Sequence, residues 1–180
     1  MNGDKQPAET IMVRLNRLSQ LFNSFDPSPF KEKDLDDNAE DYIVGWVRDI
    51  GDRDFRICVA LPPKEAEGVK DGDIANAIHN HFDYKVKNEQ RQLRLQFRRG
   101  RYELLIGLAF LAICLSLRAL VAQMLAPPLE PIVGESLLIV GWVAMWGPLD
   151  VFLYGWWPIV ERSRLYRRLA QAPIEVRKVE

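Results

Sequence analysis

The stretch from Leu104 to Val160 decides how this chain is built. It reads LLIGLAFLAICLSLRALVAQML over 104–125, APPLEP over 126–131 and IVGESLLIVGWVAMWGPLDVFLYGWWPIV over 132–160. Charge nearly disappears across it, and the Pro-rich break in the middle divides it into two apolar runs. Spanning the hydrocarbon core of a bilayer as a helix takes about 20 apolar residues. The uncharged run Leu104–Leu117 falls short of that, but reaches it when extended past Arg118 to Leu125. Arg118 lies about 22 Å along the helix from Glu103 at 1.5 Å per residue, so it can snorkel to the far interface instead of staying buried. The expected unit is a transmembrane hairpin: helix 104–125, external turn 126–134, helix 135–160.

Orientation follows from where the basic residues stand. The formal net charge of −1 conceals strong segregation along the 180 residues. Arg91, Arg94, Arg98, Arg99 and Arg101 precede the apolar stretch, Arg162, Arg164, Arg167 and Arg168 follow it, and the turn carries Glu130 and Glu135 with no lysine or arginine. Loops rich in Lys and Arg stay cytoplasmic. Both termini are therefore expected inside and the turn outside. The polar start MNGDKQPAET leads into no signal-peptide core, so the hairpin itself is expected to direct insertion.

Two groups inside the hairpin need partners. Glu135 is expected to pair with Arg118 at the outer interface. Asp150 admits two readings. In a straight helix it lies near the level of Gly107 among apolar neighbours, and needs a proton, water or a partner from another subunit. If Gly147-Pro148 breaks the helix, Asp150 moves into the head groups near Arg162 or Arg101, and Tyr154, Trp156 and Trp157 form an aromatic belt. The break is the preferred reading.

Outward from the hairpin, residues 73–103 read as an amphipathic stalk helix that continues into the first crossing. At 100° per residue, Ile78, Phe82, Val86, Leu93 and Phe97 share one side, and Lys87, Arg91, Arg94, Arg98 and Arg101 lie opposite. Such a stripe is either a solvated face that obeys membrane topology or a binding face for anionic lipid head groups. It lacks interleaved aromatics, so nucleic acid is not an expected partner. Residues 1–72 read as a cytoplasmic, mostly helical region with one strand. Ile11, Leu15, Leu18, Phe22 and Phe25 have helical spacing, as a core helix or one lying in the membrane plane. The prolines of Asp26-Pro27-Ser28-Pro29 form a rigid bend. Asp37, three residues before Glu40, is placed as the cap of a helix with Tyr42, Ile43, Trp46, Val47 and Ile50 on one face. Phe55–Leu61 alternates as a strand. Its one available partner is Ile174–Val179, within the basic helix and tail of 161–180. Overall this is a mainly α membrane protein, with a small cytoplasmic domain holding one or two short strands.

No reaction is announced. The two cysteines, Cys58 and Cys114, fall in segments of different character and are expected to be free thiols. His79 and His81, the two histidines, stand two apart and share no helix face, so they read as surface residues rather than metal ligands. There is no nucleophile–base pair, metal cluster or phosphate loop, and no cofactor is expected. WVAMWGPLDVFLYGWWPIVERSRLYRRL, with DPSPF and DLDDNAEDYIVGWVRD upstream, resembles a group of uncharacterised bacterial membrane proteins with a two-helix hairpin. That resemblance implies the bacterial cytoplasmic membrane and no activity. The expected function is a non-enzymatic, membrane-anchored interaction or assembly module, presenting Tyr42, Trp46 and the basic stalk to lipid, to a membrane-protein partner or to copies of itself. The alternatives are an oligomeric channel or transporter subunit using Arg118, Glu135 and Asp150, and an enzyme at the membrane face.

Overall fold

A computed structural model describes residues 9–23, 33–65 and 71–179. The bend expected at Asp26–Pro29, and Phe25 before it, lie outside these residues. The chain divides into two compact units, Met1–Asn88 with Arg162–Glu180, and Glu89–Glu161.

The first unit is built on three parallel strands, β1 (Glu9–Arg14), β2 (Phe55–Leu61) and β3 (Ile174–Lys178), in the order β1-β2-β3. β2 is central, and Ile57 pairs with Ile11 on one side and Ile174 on the other. The pairing expected between 55–61 and the carboxy-terminal segment is present, in parallel. The helix expected from Thr10 is not. Ile11 and Val13 are buried and their neighbours exposed, the period-2 pattern of a strand, and a short 3-10 turn at Leu18–Gln20 follows. The reason is tertiary: an isolated central strand leaves one edge of amides and carbonyls unpaired, and β1 satisfies it. The unit therefore has three strands, two of them before residue 72, where one had been expected.

Helix α1 (Asp37–Ile50) is capped by Asp36, whose carboxylate accepts from the Asn38 amide at 3.0 Å. The cap thus stands one residue before the Asp37 expected. Ile43, Val44, Val47 and Ile50 are buried, whereas Tyr42 and Trp46 are 46% and 48% exposed, outside the core that the aromatic stripe suggested. α2 (Asp71–Met124) begins with Ile74, Ala77, Ile78 and Phe82 facing inward. These residues, together with Leu169 from α5 (Trp157–Ala170), close one core over Ile11, Val13, Ile57, Val59 and Leu61. Both crossovers of a 1-2-3 parallel sheet with right-handed connections fall on the same face, which is why one core collects all three helices. The opposite face carries Thr10, Met12, Arg14 and Arg177, all exposed. Arg168 on α5 donates to the carbonyls of Gly51 and Arg53, each at 2.6 Å, and lies 5.1 Å above the Phe55 ring. It pins the turn between α1 and β2, where Gly51 takes φ +67°.

The second unit holds the rest of α2 and its return. α3 (Leu129–Val143) starts within the turn expected at 126–134, so the connection shortens to Leu125–Pro128. The return helix is interrupted, but at Ala144–Met145. α4 (Trp146–Asp150) then carries Pro148 inside its first turn, where the missing N–H costs nothing, and a π-helical turn, Val151–Gly155, leads into α5. Two stretches, Gly72–Met124 and Leu129–Ala170, are long and apolar enough to cross a membrane.

Candidate functional site

The second unit is zipped by small residues. A Cβ on Gly141 would meet Leu111 Cδ1 at 2.8 Å and Cys114 Cβ at 3.2 Å; one on Gly107 would meet Met145 Sδ at 3.1 Å; one on Gly100 would meet Val151 Cγ1 at 2.6 Å. Close backbone approach of this kind is how apolar helices associate where burial from water offers no gain. The hydroxyls of Ser116 and Ser136 donate to the Ala112 and Ile132 carbonyls of their own helices, at 2.8 and 2.7 Å. The contacts also set the levels. Gly134 faces Arg118, Gly107 faces Ala144 and Met145, and Gly100 faces Val151.

At the Gly100 level the π turn brings Phe152 against Phe97, ring centroids 6.0 Å apart and 31° inclined. These two rings help to line a groove of about 610 Å³ with Arg91, Arg94, Arg98 and Arg101. All four arginines are exposed, and among the described residues none has a carboxylate at ion-pair distance, whereas neighbouring Arg99 pairs with Glu103 at 2.7 Å. Unpaired guanidiniums over aromatic rings suit an anionic group attached to an apolar body, because Arg matches phosphate oxygens in a bidentate fork. Lys87, the fifth member of the expected stripe, instead lines a separate hollow with Asp34, His81, Asp83 and Tyr84.

The pairs expected inside the hairpin are absent. Arg118 and Glu135 are both exposed and form no ion pair, since it is Gly134 that faces Arg118 and Glu135 is turned about 100° from it. Asp150 is exposed between the levels of Gly107 and Gly100, and no basic side chain reaches it among the described residues. The π turn and the earlier interruption carry it away from the apolar middle. Tyr154 and Trp157 are exposed beside it in sequence, and Trp156 donates to the Phe152 carbonyl at 3.0 Å.

In the first unit the histidines are not equivalent. His79 is half-buried, its Nε2 2.9 Å from the Ala172 carbonyl. His81 is buried, which corrects its reading as a surface residue. Its Nδ1 accepts from the Leu35 amide at 3.2 Å and lies 3.0 Å from Asp34 Oδ1; its Nε2 lies 3.1 Å from Glu40 Oε2. Lys85 Nζ reaches the same Glu40 oxygen at 2.8 Å. Burial pushes the Glu40 carboxyl up, but hydrogen bonds from His81 and Lys85 and the Lys85 charge outweigh it and hold the group below its ordinary range. Burial likewise pushes Lys85 down, and the Glu40 hydrogen bond and charge leave it raised. The signal for this network was available: His81 and Lys85 fall on the same stripe as Ile74, Ile78 and Phe82.

Tyr42 and Trp46 form an edge-to-face pair at 6.3 Å on the outside of α1, and the Tyr42 hydroxyl donates to the Met12 carbonyl at 3.2 Å. Both cysteines are buried and free. No group of His, Cys, Asp or Glu among the described residues has metal-binding geometry. Comparison with protein-family models, with curated proteins and with solved structures returned no match.

Proposed function

We propose that this chain is a bacterial inner-membrane protein that inserts as a hairpin, keeps both termini in the cytoplasm and works as a non-enzymatic interaction or assembly module. One observation carries the reading: in the apolar window of the first candidate span only 11% of the residues are buried, and four unpaired arginines stand at its cytoplasmic end. An apolar surface so lightly covered needs a solvent other than water. Arginines beside it suit the negative surface of a cytoplasmic leaflet, at about 1 kcal/mol per basic residue. The partners of this reading are anionic lipid head groups at the groove and a second protein, or a second copy, at the exposed Tyr42–Trp46 pair.

Cysteine accessibility tests the topology. With Cys58 and Cys114 replaced, Ala126→Cys is expected to react with a membrane-impermeant maleimide in intact cells, and Ser19→Cys only after permeabilisation. The reverse pattern, or equal labelling, sinks the orientation. Lipid class retained by the purified full-length protein tests the groove. Arg94→Glu/Arg98→Glu is expected to keep about tenfold less anionic lipid than wild type, on the scale of those two contacts reversed. Unchanged retention would remove lipid from the reading and leave the arginines as topology signals.

A further inference from the structure

Asp150 is the one carboxylate at the Gly100 level of the hairpin's return, and an aromatic belt does not account for it. Tryptophan and tyrosine gain by sitting at a membrane interface; a carboxylate there, with no cation beside it, gains nothing from the rings and faces the same negative lipid charge as the arginines attract. Its surroundings have a definite chemistry. Trp146, Asp150 and Tyr154 recur every four residues through α4 and the π turn, and line one hollow of about 520 Å³ with Leu149 and Leu153. Trp146 and Tyr154 are 74% and 63% exposed. Neither aromatic ring has a ring partner, whereas Trp156 stacks on Trp157 and Phe152 packs on Phe97. The hollow falls within the roughly 300–1,000 Å³ typical of small-ligand sites.

We propose that Trp146, Asp150 and Tyr154 form a binding site for a primary ammonium group, with an ethanolamine-headed lipid as the ligand of that chemistry. The rings supply cation–π attraction. The carboxylate accepts hydrogen bonds from N–H donors, which a trimethylated ammonium lacks, so the site discriminates ethanolamine from choline. Leu149 and Leu153 offer apolar contact to the carbons that carry the head group. This site differs from the arginine groove in the sign of the charge it takes, and it rests on the membrane reading above.

The test uses full-length protein, delipidated in detergent and titrated with ethanolamine-, choline- and glycerol-headed phospholipids, with bound lipid read by native mass spectrometry. The ethanolamine lipid is expected to bind about tenfold more tightly than the choline lipid, the scale of one charge-assisted hydrogen bond. Asp150→Asn, which keeps the shape, is expected to abolish that preference, and Trp146→Leu to weaken binding of both. Glu130→Gln, which removes a carboxylate elsewhere, is expected to keep it. Free ethanolamine is added in a separate arm. Competition at equal concentration identifies a soluble amine as the ligand, and failure to compete identifies the lipid; both keep the ammonium site. Equal binding of the two lipids, or an Asp150→Asn variant that retains the preference, overturns the proposal. Flotation with vesicles runs in parallel: wild-type protein that fails to float sinks the membrane reading, whereas floating protein without the preference sinks this site alone.

Discussion

Glu40 and Lys85 keep each other charged under the edge of the first unit, and the direction of each shift fixes how stability follows pH. Glu40 titrates below its ordinary value. Its contribution is therefore complete above about pH 4.3, the ordinary glutamate value, and is lost as pH falls through the lowered one. Lys85 titrates above its ordinary value, so its contribution is complete below about pH 10.4 and is lost as pH rises through the raised one. The pair thus supports the unit throughout the neutral range. Glu40→Gln is expected to cost about 2 kcal/mol at pH 7, less than a fully buried pair because Lys85 is partly solvated. It should also flatten the loss of stability between pH 5 and 3. Denaturation of the detergent-solubilised protein across that range checks both; an unchanged acid slope would show that Glu40 is not the group being protonated. The spacing rule that separated His79 from His81 was sound about a shared metal ion and silent about burial. Helix phase alone, from Ile74 through Ile78 and Phe82, puts His81 inward. Arg168 illustrates the opposite limit, for nothing in its basic surroundings marks it as the residue that holds Gly51 and Arg53 rather than another cytoplasmic charge.

At the scale of elements, two periodicities coincided at the start of the chain. Ile11, Leu15, Leu18 and Phe22 fit a helix, while Ile11 and Val13 fit a strand of six residues. The longer pattern won on paper because a strand so short is decided by the partner it finds. The return of the hairpin was more legible: a Gly-Pro pair predicted an interruption, and one is present at Ala144–Met145. The π turn after it had no sequence signature. Packing of the hairpin makes a sharp contrast between two glycines. Gly141→Leu drives a side chain into Leu111 and Cys114, and is expected to cost about 1–3 kcal/mol, the usual range for overpacking. Gly147, where a Cβ meets nothing within 4 Å, is expected to accept alanine with no loss and a gain of about 0.4–1 kcal/mol from the reduced freedom of the unfolded chain. Thermal melts of the two variants in one detergent make the comparison; equal melting temperatures would show that the glycine contacts do not hold the pair together.

For the whole molecule, the sheet draws its strands from both sides of the hairpin. β1 and β2 precede it, and β3 follows it. β3 completes the free edge of β2, with Ile57 donating to the Pro173 carbonyl at 2.9 Å and Val179 to the Leu61 carbonyl at 3.0 Å. A chain shortened to Gln171 is expected to lose this edge, and limited proteolysis should then cut within 55–65 while the full chain resists. Equal resistance would mean that β3 is an accessory to the unit. Hairpin, stalk and charge segregation could be read from composition because each is a run of one residue class. The central place of β2 could not, because pairing across more than a hundred intervening residues leaves no local trace.

That arrangement gives β3 a second meaning. A ribosome reads the chain in one direction, so the strand that finishes the sheet emerges only after both apolar crossings have been made. On the proposed reading, a hairpin that failed to turn back would leave the carboxy-terminal segment on the wrong side of the membrane, and β2 would wait with a bare edge. The last strand would then act as a receipt for insertion, and a misrouted chain would display an open edge to the cell's proteases.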